Sequence, residues 1–143
     1  MNDQMSANIF APLLAMLCLT MVVWCVLLYR RLGAARANGI GPSRLRTPNR
    51  VQELLPEHAM TPAYNLANLF ELPVLFYVMC FYLHINAMVD GVFVLLAWIY
   101  FLLRLIHSII HCSYNAVMHR FLAYLLSSVV LIILLIRTVT LSL

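Results

Sequence analysis

Apolar residues dominate four long runs of the chain, and shorter polar segments separate these runs. The runs cover residues 9–29, 64–85, 92–111 and 121–139. Each is close to the length of about 20 residues that an α-helix needs to cross the hydrocarbon core of a membrane. The pattern therefore predicts an all-α integral membrane protein, a bundle of four transmembrane helices forming a single domain over residues 1–143.

The polar segments predict how these helices are oriented. Residues 30–62 form the longest polar segment and contain six of the nine arginines, whereas the eight residues before the first run contain no basic residue. Loops rich in arginine and lysine stay in the cytoplasm. We therefore expect a cytoplasmic loop over residues 30–62, both termini outside the cytoplasm, and a first helix that is retained instead of being cleaved as a signal peptide.

Composition supports the membrane assignment and excludes other classes. The chain is 64% hydrophobic and 10% charged, whereas soluble domains are roughly 45–50% apolar and about 25% charged. The net charge of +4 is thus a topology signal, and no nucleic-acid partner is expected. The four cysteines fall in or beside the apolar runs, where thiols act as small hydrophobic groups, so we expect neither disulfides nor a cysteine metal site.

Polar side chains inside the last three runs are the candidates for function, because ionisable groups are costly within a membrane. At 100° per residue, those of each run fall on one helix face near the cytoplasmic end. They are Tyr64, Asn65, Asn68 and Glu71 in the second run, Tyr100, Arg104, His107, Ser108 and His111 in the third, and Arg120, Tyr124, Ser127 and Ser128 in the fourth. Converging stripes predict a hydrated pocket for a small zwitterionic or anionic ligand. The alternative is that Glu71 pairs with Arg104 or Arg120 only to hold the bundle together.

The two histidines of the third run have a spacing that also occurs in metal sites. His107 and His111 are one helical turn apart, as in zinc-binding helices, but the sequence HSIIH lacks the glutamate of the HExxH motif. We therefore assign no metal ligands and expect a hydrogen-bonded or substrate-facing pair. A small transporter or metal-handling protein is the weaker alternative.

Short motifs on these runs resemble the MAPEG family, the membrane-associated proteins in eicosanoid and glutathione metabolism. The second run reads NLANLFELPVLF and contains Asn68-x-x-Glu71; the third contains Arg104-x-x-His107 in the sequence RLIH. Arg120-x-x-x-Tyr124 begins the fourth. The resemblance extends over nearly the whole chain, and the chain looks like a bacterial-type member of the family.

The resemblance implies a homotrimer in a bacterial inner membrane that holds glutathione between subunits. It implies that Arg120 stabilises the glutathione thiolate, with Tyr124 beside it, and that the substrate is a hydrophobic small molecule arriving through membrane lipid. The glutathione-binding residues would be Asn65, Asn68, Glu71, Arg104, His107 and His111.

Two positions depart from the family pattern. Glutathione-binding members often have arginine where this chain has Tyr64, and tyrosine where it has His111. A loop arginine such as Arg50 is a candidate to replace the arginine that is missing at position 64. The leading interpretation is a glutathione transferase or peroxidase-like enzyme. The alternative is a non-catalytic member that binds a lipid or small anion or acts as a scaffold.

Overall fold

The computed structural model describes residues 8–143, and within this range every regular element is a helix. Four helical segments are long and apolar enough to cross a membrane, the second being broken into two parts, which confirms the predicted all-α membrane fold. The first seven residues, expected outside the cytoplasm, lie outside the described range. The helices are α1 Phe10–Ala37, α2 Pro48–Leu54, α3 Glu57–Leu69, α4 Leu72–Ile85, α5 Gly91–Cys112 and α6 Val117–Ser142, with a 3₁₀ turn at Pro42–Arg44.

The helices extend beyond the apolar runs at the arginine-rich end of the bundle. Helix α1 has 28 residues, about 42 Å at 1.5 Å per residue, and continues through the first arginines of the polar segment. Helix α3 begins at Glu57. Both ends of the polar segment are therefore helical, and only its middle part runs across the end of the bundle.

The second membrane segment is broken between α3 and α4, at Phe70 and Glu71. Pro73 explains the position of the break, because proline has no N–H and its ring clashes with the carbonyl four residues earlier, which here belongs to Leu69. Pro73 occupies the first turn of α4, where proline is tolerated. The last carbonyls of α3 consequently lack their usual partners within the helix.

An apolar core fills the centre of the bundle, where α1, α4, α5 and α6 meet. Met16, Phe76 and Phe93 are fully buried, and Phe76 stacks on Tyr100 with ring centroids 4.6 Å apart. Helices α5 and α6 pack side by side because only a short turn joins them. In this turn Asn115 adopts a φ of 52°, a conformation that asparagine tolerates better than most residues.

Candidate functional site

Buried polar side chains from α3, α5 and α6 meet between the apolar core and the arginine-rich end. Such groups are costly to bury unless they find hydrogen-bond partners. Several members have hydrogen-bond partners on neighbouring helices, so the cluster connects three elements of the bundle. The buried members are Asn65, Arg104, His107, Ser108, His111 and Ser127.

Arg104 lies deepest in this cluster and is completely buried. Its Nη2 donates to the carbonyl of Asn68 at 3.2 Å, and its Nε donates to the Tyr100 hydroxyl at 3.3 Å. Its guanidinium carbon lies 4.9 Å from the centre of the Tyr124 ring. The helix break leaves the Asn68 carbonyl free, and a cation at a helix C-terminus is favourable. Arg104 therefore caps α3 and packs against α6.

The two histidines of α5 hold the first turn of α6. The His107 Nδ1 lies 2.8 Å from the Arg120 carbonyl, and because a carbonyl only accepts, Nδ1–H is the donor. The Arg120 Nη1 lies 3.1 Å from His111 Nε2, so that nitrogen is the acceptor and the imidazole is neutral. The two imidazole rings lie 5.5 Å apart. Each histidine thus fixes a different part of Arg120.

Arg120 is only partly buried, and its guanidinium has neutral partners. Besides His111, Nη1 donates to Asn115 Oδ1 at 2.6 Å. Among residues 8–143 its Nε and Nη2 make no hydrogen bond, and no carboxylate pairs with it. A guanidinium has five N–H donors and is always charged. Arg120 therefore presents an uncompensated positive charge near one end of the bundle.

Asn65 links α3 to α5 on the other side of the cluster. It is fully buried, accepts a bond from the Ser108 hydroxyl at 3.3 Å and donates to the Cys112 sulfur at 3.4 Å. The carbonyl of Cys112 accepts a bond from Arg30 Nη2 at 2.6 Å. Arg30 also donates to the His58 carbonyl at 3.2 Å, so one arginine of α1 connects α3 and α5.

Asn68 and Glu71 lie at the edge of the cluster. The Asn68 side chain is half-buried, and Glu71 is exposed at the helix break. The ion pairs in the described part of the chain are Arg50–Glu53 and Arg137–Asp90, so Glu71 pairs with neither Arg104 nor Arg120 within this chain. The structure thus brings together Asn65, Arg104, His107, His111, Arg120 and Tyr124, and leaves Glu71 apart from them.

Comparison with known protein families identifies the family of this chain. The MAPEG family model matches residues 9–140, nearly the whole chain. The chain belongs to the MAPEG family. It is accordingly an integral multi-pass membrane protein, as its four apolar helical segments also indicate. The comparisons with curated proteins and with solved structures found no match.

The two departures from the MAPEG pattern have different surroundings. Tyr64 is 44% exposed, and its hydroxyl accepts a bond from Gln52 Nε2 at 3.4 Å. His111 is buried and accepts the bond from Arg120 described above. Tyr64 therefore faces the arginine-rich segment, while His111 belongs to the polar cluster.

An apolar groove runs along this MAPEG protein between α4 and α6, beginning close to the polar cluster. Ser128, one turn beyond Tyr124, lies in its wall, and Tyr124 lies one turn beyond Arg120 on the same helix. The part of the groove nearest the polar cluster has a volume of about 320 Å³ and is lined by Leu72, Leu75, Val78, Met79, Ser128, Leu131, Ile132 and Leu135. A second cavity, of about 380 Å³, continues the groove to the far end of the bundle.

Two residues of the site were assigned no such role from the sequence. Arg30 was counted as a topology residue, because its partner Cys112 is 82 positions away and charge counting does not detect such contacts. Asn115 lies in the short turn between α5 and α6. Its signal was its residue type, since asparagine is enriched at positive φ in turns. As for metal ligands, residues 8–143 contain no group of three His, Cys, Asp or Glu side chains that could hold an ion.

Proposed function

We propose that this protein is a membrane-bound, glutathione-dependent transferase or peroxidase that acts on lipophilic electrophiles. The observation that carries the proposal is the state of Arg120, whose charge is held in place by neutral acceptors and is opposed by no carboxylate within the described chain. A fixed, uncompensated cation at the edge of a membrane is suited to binding a small anion.

Arg120 has the properties needed to activate a thiol. A nearby cation stabilises a thiolate and lowers the pKa of the thiol, which raises the fraction of the nucleophilic form. The thiol proton leaves to solvent, and the sulfur then bonds to an electrophilic carbon as the leaving group departs. With a hydroperoxide, the sulfur attacks the terminal oxygen, the O–O bond breaks, and the departing alkoxide takes up a proton to leave as an alcohol. A second glutathione then reduces the resulting sulfenic acid, giving glutathione disulfide and water. Tyr124, one turn from Arg120, has a hydroxyl with no hydrogen-bond partner in the described chain and is proposed to donate to the thiolate.

The remaining polar residues are proposed to act on the tripeptide in two ways. Asn68 and Glu71 lie at the edge of the cluster and are proposed to bind its amide and ammonium groups. Asn65, Arg104, His107 and His111 are buried and hold the helices that carry Arg120 and Tyr124. For these four we propose that they contribute to glutathione binding chiefly by positioning.

The apolar groove supports a lipophilic second substrate. Its walls are almost entirely aliphatic, and it lies between two membrane-spanning helices. A hydrophobic molecule dissolved in the bilayer can enter such a groove without passing through water. Because the groove begins one turn from Tyr124, a substrate in it would approach the proposed thiolate from the membrane side.

The decisive experiment measures glutathione chemistry in the purified full-length protein. We expect conjugation of an activated aryl chloride above the uncatalysed rate, and a thiolate absorbance signal when glutathione is added. Arg120→Ala should reduce turnover by about 10²-fold or more, the size typical of losing one charge-stabilising group. Arg36→Ala, which removes an equally charged but exposed side chain, is the matched control. Absence of glutathione binding in calorimetry at millimolar ligand would overturn the proposal.

A non-catalytic MAPEG protein is the second candidate, and one observation favours it. Asn65, Arg104 and Ser108 are all buried and bonded within the chain itself, which is the arrangement expected of residues that only hold a bundle together. If the protein is non-catalytic, Arg120→Ala has no effect on glutathione chemistry. A conjugation rate well above background in the wild-type protein would exclude it.

We also propose that the protein assembles as a homotrimer in a bacterial inner membrane. In each span, only about 28–33% of the most apolar 18-residue stretch is buried within one chain. Large apolar surfaces therefore remain for contact with lipid and with other copies of the chain. Native mass spectrometry from detergent should give a mass of three chains. A stable monomer across protein concentrations would contradict the trimer.

A further inference from the structure

Arginines of the segment between α1 and α3 surround two adjoining cavities that the proposed glutathione chemistry does not use. The first, about 500 Å³, is lined by Arg44, Arg46 and Arg50, and the second, about 370 Å³, by Arg31 and Arg46. Arg46 and Thr47 belong to both walls. No acidic residue lines either cavity. We refer to the two together as the arginine pocket.

Most of the charge in the arginine pocket is uncompensated. Only Arg50 has a carboxylate partner, Glu53 at 3.1 Å. Arg44 and Arg46 make no side-chain hydrogen bond or ion pair with any residue of the range 8–143. The Nε of Arg31 is shielded from solvent and lacks a partner in the same range. Guanidinium groups arranged around a cavity in this way match the geometry of phosphate oxygens.

The depth of the pocket relative to the membrane indicates where its phosphate comes from. A span of about 20 residues starting at Phe10 ends near Tyr29, so Arg31 lies where the hydrocarbon gives way to headgroups. Tyr29 and Leu32 beside it are 81% and 55% exposed. Leu32 lines a third cavity that shares Leu45 with the arginine pocket. Exposed apolar side chains thus adjoin the cationic pocket at the level of the headgroups.

We propose that the arginine pocket binds the phosphate of an anionic phospholipid headgroup. Basic clusters directly beside a membrane-spanning helix attract anionic lipids by roughly 1 kcal/mol per arginine, which corresponds to about fivefold in affinity. The pocket goes beyond this general attraction because three arginines, Arg44, Arg46 and Arg50, line one cavity of about 500 Å³. The bound lipid would hold the segment between α1 and α3 against the membrane surface.

The test uses the full-length protein in nanodiscs containing equal amounts of phosphatidylglycerol and phosphatidylcholine. Native mass spectrometry of the released protein should show preferential retention of phosphatidylglycerol. Arg44→Gln and Arg46→Gln should each lower this preference by about fivefold, and the double variant by more. Arg36→Gln makes the same charge change in a neighbouring exposed residue, which lines the third cavity but neither cavity of the arginine pocket, and should leave the preference nearly unchanged.

Three results would overturn the proposal. The wild-type protein could show no lipid preference, or Arg36→Gln could lower it as much as the pocket variants, which would indicate diffuse electrostatics without a site. A separate experiment adds inorganic phosphate to the protein in nanodiscs that contain only phosphatidylcholine. Saturable phosphate binding that depends on Arg46, together with no phosphatidylglycerol preference, would assign the pocket to a soluble anion. Because the side chains of Arg44 and Arg46 make no hydrogen bond or ion pair within the described chain, the variants should fold, and equal melting temperatures check this.

Discussion

At the scale of single residues, Arg104 shows how this bundle uses a buried charge. A fully buried guanidinium is unfavourable in a bilayer unless its donors find acceptors. It finds one in the Asn68 carbonyl, which is free only because the helix is broken, and it packs over the Tyr124 ring. Arg104 is therefore suited to holding the bundle together, whereas Arg120, which is only partly buried, is suited to chemistry.

This difference predicts that Arg104→Ala lowers stability. The substitution leaves a cavity and an unpaired carbonyl, and we expect the free energy of unfolding in mixed micelles to fall by about 2–4 kcal/mol. Arg36→Ala removes an exposed side chain that makes no hydrogen bond in the described chain, and should change the free energy of unfolding by no more than about 0.5 kcal/mol. Equal effects of the two substitutions would mean that Arg104 does not hold the helices together.

The residue scale also separates what a sequence can and cannot reveal about the site. Helical periodicity placed Asn65, Arg104 and His107 on inward faces, because those positions lie on regular helices. It also grouped Glu71 with Asn68, since the kink expected from Pro73 was placed after Glu71 and the helical spacing was continued up to that residue. The break at Phe70 and Glu71 ends that regularity, and Glu71 is exposed. Contacts distant in sequence, such as Arg30 with Cys112, have no periodic signal at all.

At the scale of elements, one carboxylate connects the ends of two helices. Asp90 caps α5 by accepting from the backbone N–H of Phe93 at 2.9 Å. It also accepts two bonds from Arg137 of α6, at 2.6 and 2.8 Å. The guanidinium of Arg137 in turn lies 4.3 Å from the centre of the Phe93 ring. Arg137 and Asp90 are 47 positions apart, so no helical periodicity could reveal that they pair.

This connection predicts a particular dependence of stability on pH. The hydrogen bond from Arg137 lowers the pKa of the Asp90 carboxyl from 3.8 to about 2. Because the folded pKa is below the unfolded one, the contribution to stability is complete above about pH 4 and is lost as the pH falls through about 2. Asp90→Asn keeps a capping residue but loses the ion pair. Its melting temperature should be below that of the wild type near neutral pH, and the difference should shrink toward pH 2.

If the difference in melting temperature between the wild type and Asp90→Asn stayed constant from neutral pH to pH 2, the ion pair of Asp90 with Arg137 would not contribute to stability. Asp90→Ala is the companion variant, because it removes the cap as well as the ion pair. It should cost roughly 1 kcal/mol more than Asp90→Asn. This additional loss separates the contribution of the helix cap from that of the connection to α6.

At the scale of the whole molecule, the charges divide between the two ends of the bundle. Six arginines lie between residues 30 and 50, whereas the far end has Asp90 paired with Arg137. With four spans, Asn8 and Leu143 are expected on the same side of the membrane, opposite the arginine-rich segment. The fold class followed from the sequence because lipid permits few solutions for four long apolar runs. The orientation rests on the distribution of charge alone, since a bundle has the same internal contacts either way up.

The positive-inside rule therefore predicts that residues 38–56 face the cytoplasm and the C-terminus faces outward. In a variant whose four cysteines are replaced by alanine, Ser43→Cys and Leu143→Cys introduce single exposed thiols on opposite sides. A membrane-impermeant maleimide should label Leu143→Cys in intact bacterial spheroplasts and Ser43→Cys only after permeabilisation. The reverse pattern would place the arginine pocket and Arg120 outside the cytoplasm. Cytosolic glutathione would then have no direct access to the proposed site, so this measurement also constrains the proposed chemistry.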